Sequence, residues 1–266
     1  MPGFCTISYA RLGRLIGTPE CPILIDVRTA PDFEADPRMI PGAFRHPHET
    51  IEALGRDYAD RRVITICQQG KKLSEGAAAL LRSCGVASET LEGGTRAWAG
   101  AGLPMIPACT MPGTRLWVTR HRPKIDRIAC PWLIRRFVDP GARFLFVAPS
   151  EVLAVAERFG ATPFDIEDIR FSHRGPFCTF DAMLDDFALH TEPLDRVAAL
   201  VRGADTDRHD LAPQAAGLLA VSVGLSRLYR YDLMQLEAAL PLCDALYRWA
   251  RDGFDEGHDR PAGRGQ

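Results

Sequence analysis

The sequence predicts an α/β fold over its first hundred residues, a parallel sheet with helices on both faces, followed by a mainly helical α+β domain. Three observations predict it. Short apolar runs alternate with helical segments up to Pro107, and such alternation builds a parallel sheet covered on both sides. Pro104, Pro107 and Pro112 then crowd a short break, which reads as a linker. Beyond it, helical patterns dominate. The chain is accordingly divided into a domain over 1–107, a linker over 108–114 and a second domain over 115–254. A disordered tail is expected over 255–266, where Gly, Asp and Arg leave no apolar face.

The elements follow in order. Ser8 ahead of Ala10, Leu12, Leu15 and Ile16 predicts an N-capped amphipathic helix. The apolar run 22–27 behind Pro22 predicts a buried strand with Asp26, Val27 and Arg28 at its polar end. Residues 31–41, with three prolines, read as loop with one short helix. A second strand is expected over 63–66, a helix over 74–84 ending near Gly85, and a third strand over 87–91. Gly93 and Gly94 make a turn into a last short helix, 95–100. The second half opens with a strand over 115–120. A helix follows over 126–139, with Asp126 as its N-cap and Pro131 within it, then a strand over 143–148 and a helix over 150–159 stopped by Gly160. Four further helices are expected over 179–188, capped by Thr179, and over 193–202, 213–223 and 232–251.

Composition narrows the function classes. The chain has 266 residues, 46% hydrophobic and 25% charged, with a net charge of −2. That balance disfavours a nucleic-acid binder held by overall charge. No two of the 8 cysteines are spaced Cys-x-x-Cys, so the common zinc-ribbon, thioredoxin and haem-attachment patterns are missing. Arg11 and Arg14 interrupt any leader-like apolar stretch near the start, and no run approaches a membrane span. A cytoplasmic protein with reduced thiols, and no membrane partner, is expected.

Cys67 is the first candidate centre. It follows a strand directly and precedes Gln68, Gln69, Gly70, Lys71, Lys72, Leu73 and a helix. Open α/β sheets place ligands at the carboxyl ends of their strands. The helix behind the loop aims free N–H groups and its positive dipole end at the sulfur. Gly70 permits tight curvature, and Lys71 and Lys72, two of only three lysines in the chain, add positive charge. Each feature favours a thiolate. A buried, inert cysteine at a strand end is the alternative.

Four segments in order carry a family resemblance. They are Asp26 to Arg28 after a strand; Ile40, Pro41, Gly42 and Ala43; the six-residue loop Cys67 to Lys72; and Leu91 to Gly94 with Trp98 and Ala101 to Pro104. Over roughly 4–107 the chain resembles the rhodanese family of sulfurtransferases. Met39 departs from it, standing where many members have His. The resemblance implies that Cys67 carries sulfur as a persulfide, taken from thiosulfate or a similar small donor and passed to a thiol or cyanide, with no cofactor required. It implies that Lys72, helped by Lys71, holds the donor's anionic part, and that Gln68, Gln69, Gly70 and Leu73 line the substrate. Asp26 and Arg28 join that set, chiefly as supports of the fold and loop. A six-residue loop suits sulfur; the related phosphatases are expected to have one residue more.

The second half has its own distinctive segments: Trp117 to Ile134, Phe164 to Glu167, His173 to Gly175, Cys178 to Asp181, Val201 to Asp205 and Ala212 to Leu218. Together they resemble the C-terminal domain of the chromate-resistance protein family, which occurs fused to a rhodanese. The resemblance implies a link to chromate resistance, with sensing or regulation as the domain's part. Two sites are read from the residues themselves. Arg115, Arg120, Arg122, Lys124 and Arg127 crowd thirteen positions. Arg120, Arg122 and Lys124 are the proposed binders of chromate or another oxyanion, against the alternative of a solvated basic face. Glu167, His173 and Cys178 are the proposed ligands of a metal ion, with Cys130 and His209 in reserve. The alternative has His173 hydrogen-bonded, Cys178 buried and Asp181 in a helix's first turn.

The leading reading is therefore a sulfurtransferase fused to a chromate-response domain. The other is a chromate-responsive transcriptional regulator or oxyanion sensor whose rhodanese unit does not turn over. No helix-turn-helix with a basic recognition helix is evident, which counts against DNA as a partner.

Overall fold

The computed structural model describes residues 5–257. It divides into two compact units. One runs to Met111 and takes in Arg135–Pro140; the other comprises Pro112–Ile134 and the chain from Gly141. The sequence reading had placed 135–140 in the second domain. The expected tail over 255–266 lies, from residue 258, outside the described residues.

The first unit contains β1 (Thr6–Ile7), α1 (Tyr9–Leu15), β2 (Ile23–Asp26), α2 (Ala30–Ala35), β3 (Arg38–Met39) and β4 (Ala43–Arg45). A 3-10 segment, His48–Leu54, leads to β5 (Arg62–Ile66), α3 (Lys72–Ser83), β6 (Ala87–Leu91), α4 (Gly94–Gly100) and β7 (Ile106–Pro107). Five strands lie in the order β1-β6-β5-β2-β4, every pairing parallel. Strands β3 and β7 form a small antiparallel ribbon. The strands β1, β3, β4 and β7 escape periodicity because each has only two or three residues. Ser8 caps α1 as expected, its side chain accepting from the N–H of Arg11.

Central β5 shows why the strand runs are continuously apolar. Val63, Ile64, Thr65 and Ile66 are all fully buried, so both faces of the sheet are covered. Val63 and Cys67 share one core with Ala77 and Leu81 of α3 and with Ile51. Beyond β2, the Arg28 guanidinium grips the buried Asp26 carboxylate through Nε and Nη2. It also donates to the carbonyls of Asp36 at 2.9 Å and Arg38 at 2.7 Å. Both side chains are essentially sealed from solvent. The pair is a clamp that ties the end of β2 to the segment leading into β3. Arg28→Ala strands a buried carboxylate and is expected to cost about 3–5 kcal/mol, read as a fall in denaturation midpoint.

The second unit contains β8 (Leu116–Arg120), α5 (Asp126–Leu133), β9 (Arg143–Val147), α6 (Val152–Phe159), β10 (Thr162–Pro163), α7 (Thr179–Phe187), α8 (Glu192–Asp205), α9 (Ala215–Leu228) and α10 (Asp232–Asp252). A three-stranded parallel sheet, β10-β8-β9, supports a mainly helical body. Trp117, Phe144, Phe164, Phe171 and Phe187 form a chain of ring contacts beneath it. Helix α5 stops at Leu133, short of the expected 139, and passes into a π-helical stretch over Ile134–Val138. Pro131 lies inside α5, where it removes one helical hydrogen bond, to the turn before it. Among the described residues, no helix is long and apolar enough to cross a membrane.

Candidate functional site

The Cys67 loop connects β5 to α3. Two left-handed glycines fix its path. Gly70 has φ +66° and Gly94 has φ +60°, and their backbones interlock: a Cβ on Gly94 would stand 2.1 Å from the Cys67 carbonyl oxygen and 2.5 Å from the Gly70 nitrogen. The first turn of α4 then captures the loop's carbonyls. Thr95 N–H donates to the Cys67 carbonyl and Arg96 N–H to that of Gln68, both at 3.1 Å.

Cys67 is 5% exposed. Lys71 N–H points at its sulfur from 3.4 Å, and the Ser74 hydroxyl stands 3.2 Å away. Burial acts to raise the Cys67 thiol. The hydrogen bonds from the Ser74 hydroxyl and from the backbone N–H groups of Ser74, Lys71 and Gln69 outweigh it, and hold the thiol below its ordinary range. The sequence reading missed Ser74, whose signal was its position two residues past the loop, on the first turn of α3. Gln68 and Gly70 are half-buried, Leu73 likewise, and Gln69, Lys71 and Lys72 are exposed. The lysine side chains are thus open to solvent, and what lies against the sulfur is the Lys71 N–H and the Ser74 hydroxyl, which also donates to the Lys71 carbonyl at 3.0 Å.

A pH prediction follows. A lowered thiol is ionised at lower pH, so alkylation of Cys67 by iodoacetamide should reach its half-maximal rate below the pH of an ordinary cysteine. In Ser74→Ala that midpoint should move to higher pH. An unmoved midpoint would remove Ser74 from the account.

The second centre lies at the carboxyl end of the β10-β8-β9 sheet. Arg120 ends β8, and Asp165 follows β10 closely. Arg120 donates to Asp165 Oδ2 at 2.8 Å, and Arg127 Nε stands 3.3 Å from the same oxygen. Asp165 Oδ1 accepts from the Thr179 hydroxyl at 3.0 Å. The Asp126 carboxylate accepts the N–H groups of Thr179 at 2.7 Å and Phe180 at 3.3 Å. Asp126 therefore does not cap its own helix, as the sequence reading had it. Its carboxylate stabilises the N-terminus of α7 instead, where free N–H groups and the dipole favour an anion. The cap residue of α7 is Cys178, not Thr179.

Into this group reaches His173. Its Nε2 faces Asp126 Oδ2 at 3.5 Å, Asp165 Oδ1 at 3.5 Å and Asp205 Oδ2, on the last residue of α8, at 3.2 Å. The three carboxylates push the His173 imidazole up to about 12. Burial, with the like charges of Asp205 and Asp165, raises Asp126 to about 6. The backbone pays attention to this spot too: Ile125 has φ +44° and Asp165 φ +55°, conformations rare for side chains with a Cβ and concentrated at functional sites. Among the described residues, Asp126, His173 and Asp205 form a group whose ligand atoms all lie within 4.8 Å of one another.

The expected metal set is corrected accordingly. His173 is in place, but Glu167 is exposed, and Cys178 is buried against Asp181 with its Sγ 3.2 Å from Oδ2. Burial and the charges of Asp126 and Asp181 drive the Cys178 thiol far above its ordinary range; burial does the same to Cys130. Neither thiol is poised as a ligand. The oxyanion set does not assemble either. Arg120 is engaged by Asp165, while Arg122 binds the Ser226 carbonyl through Nη2 and Asp232 through its backbone N–H. Lys124 is exposed.

Comparison with known proteins matches both units. The model of the ChrB C-terminal domain matches residues 117–250, and the model of the rhodanese-like domain matches residues 8–101. Protein ChrB of Cupriavidus metallidurans is 32% identical over 139 residues, 50% of this chain and 40% of that protein. The match thus spans about two fifths of that relative's length. A rhodanese-related protein from Thermoplasma volcanium is 23% identical, covering 39% of this chain and 98% of that one with a TM-score of 0.34. A rhodanese-like domain protein from Staphylococcus aureus is 24% identical, covering 36% and 91% with a TM-score of 0.32. With a rhodanese-like domain in front and the ChrB model matched across half its length, the chain belongs to the ChrB C-terminal domain family.

Proposed function

We propose that the protein is a sulfurtransferase that moves sulfane sulfur from thiosulfate or a related small donor to a thiol or cyanide through a persulfide on Cys67. The observation that carries this reading is the sulfur's surroundings: a cysteine at a strand end, held below its ordinary range by Ser74 and by loop N–H groups.

The chemistry balances without a cofactor. The Cys67 thiolate attacks the outer sulfur of thiosulfate, forming an S–S bond. The bond between the two thiosulfate sulfurs breaks, and sulfite leaves with the electron pair. The groups around Sγ stabilise the attacking thiolate and the same thiolate when it leaves. Lys72 and Lys71, both exposed, attract the donor's sulfonate. Cyanide or a thiolate then attacks the outer sulfur and regenerates the Cys67 thiolate. Membership of the ChrB C-terminal domain family supports placing this activity in chromate resistance.

Thiosulfate treatment tests the reading. The intact chain should gain the mass of one sulfur atom, about 32 Da, located on the peptide bearing Cys67. No gain with thiosulfate or any other sulfane donor would refute it. Lys72→Ala should raise KM for thiosulfate roughly ten-fold while leaving kcat within about two-fold, since an exposed cation contributes mainly to binding the anion.

A further inference from the structure

We infer that the second unit holds a divalent first-row transition-metal site, formed by His173 with the carboxylates of Asp126 and Asp205 and supported by the neighbouring Asp165. The residues come from three places: the first turn of α5, the loop joining β10 to α7, which carries both Asp165 and His173, and the C-terminus of α8. The site is independent of the sulfur chemistry of Cys67, which belongs to the other unit.

The geometry at His173 Nε2 carries the inference. This nitrogen has at most one proton, yet three carboxylate oxygens surround it at 3.2, 3.5 and 3.5 Å. A single N–H directs one good hydrogen bond, at 2.7–3.2 Å by ordinary geometry; it cannot serve three acceptors. A metal ion can. With bonds of about 2.1 Å, neighbouring ligands stand roughly 3.4 Å apart around a tetrahedral ion and roughly 3.0 Å apart around an octahedral one. The 3.2 Å separation to Asp205 falls in that interval, and the two of 3.5 Å lie about 0.1 Å beyond it. One imidazole and several carboxylates suit zinc, manganese or ferrous iron.

Two further features fit a built site. The ligands are oriented from behind: Thr179 donates its hydroxyl to the same Asp165 oxygen and its N–H to the same Asp126 oxygen that face His173. Such supports fix ligand direction in metal centres. Asp205 sits in the last turn of α8, where the helix dipole disfavours a carboxylate, and a cation beside it offsets that. Entry is open, since the His173 side chain is 41% exposed. Three carboxylates against a dication and the two guanidinium groups on Asp165 leave a single positive charge in excess. An anion arriving from the solvent side balances it.

Manganese is the probe of choice because it prefers carboxylate and imidazole to thiolate, which keeps the exposed cysteines out of the measurement. The full chain, stripped with EDTA, is titrated with manganese(II) chloride while free ion is followed by electron paramagnetic resonance. One ion should bind per chain. Asp205→Asn and His173→Gln should each weaken binding roughly 100-fold or more, and Cys67→Ala should leave it unchanged. Circular dichroism confirms that each variant is folded; His173 is exposed enough for its exchange to be tolerated even where Asp205→Asn is not. Failure of the folded wild-type chain to take up manganese or zinc, or uptake that survives both substitutions, would overturn the site.

Discussion

Cys67→Ala should reduce thiosulfate-dependent thiocyanate formation by roughly a thousand-fold or more, because removing a nucleophile removes the route. The sulfur adduct should vanish with it. The fold should survive. Cys67 is small and its side chain belongs to a core built mainly by Ile25, Val27, Val63, Ala77 and Leu81, so loss of one sulfur leaves the packing largely intact. Circular dichroism and the denaturation midpoint would separate a chemical defect from a structural one. Residual turnover near the wild-type rate would assign the sulfur to another cysteine. Cys5, Cys84 and Cys109 are exposed, and among the described residues none has donors set around its sulfur as Cys67 has.

Gly94→Ala should be the most damaging single change outside the nucleophile. The position has φ +60°, and the added Cβ would lie 2.1 Å from the Cys67 carbonyl oxygen and 2.5 Å from the Gly70 nitrogen. Those atoms are backbone and cannot rotate away. The strain alone is worth about 1–3 kcal/mol, and relieving the overlap means pushing the Cys67 loop off α4. The hydrogen bonds from Thr95 and Arg96 to the loop carbonyls would stretch, and the N–H groups around Sγ would lose their aim. A lowered melting temperature together with loss of sulfur transfer is expected. Full activity in a folded Gly94→Ala chain would mean that the loop does not need this support.

The first unit was the more legible half, for physical reasons. Its central strands β2 and β5 show as short, mostly apolar runs because both faces are buried, as at Val63 to Ile66, and Cys67 announces itself by following one. What stayed hidden there was non-local. Nothing near Arg28 in sequence says that its guanidinium closes on Asp26 and on two carbonyls eight and ten residues away. Ser74 looked like an ordinary helix residue until its hydroxyl was placed beside Sγ.

In the second unit the right segments were visible and the wrong residues were taken from them. Asp126, Asp165 and Asp205 each lie in a segment singled out from sequence, yet Glu167 and Cys178 were chosen beside His173. Spacing along the chain favoured them; the fold does not. Asp126 reads as a helix cap because it stands at a helix start, and only tertiary structure turns its carboxylate to the N-terminus of α7. Asp205 is 32 positions from His173 and contacts it through the packing of α8, a proximity that no local pattern encodes.

The central claim is that Cys67 carries sulfur between two reactions. Its most direct test is a single turnover. The chain is loaded with thiosulfate, freed of donor by desalting, and then mixed with cyanide. One equivalent of thiocyanate per chain should appear at once, the added mass should disappear, and the Cys67→Ala chain should release none. A loaded chain that yields no thiocyanate, or one that yields it equally with Cys67 replaced, would contradict the account.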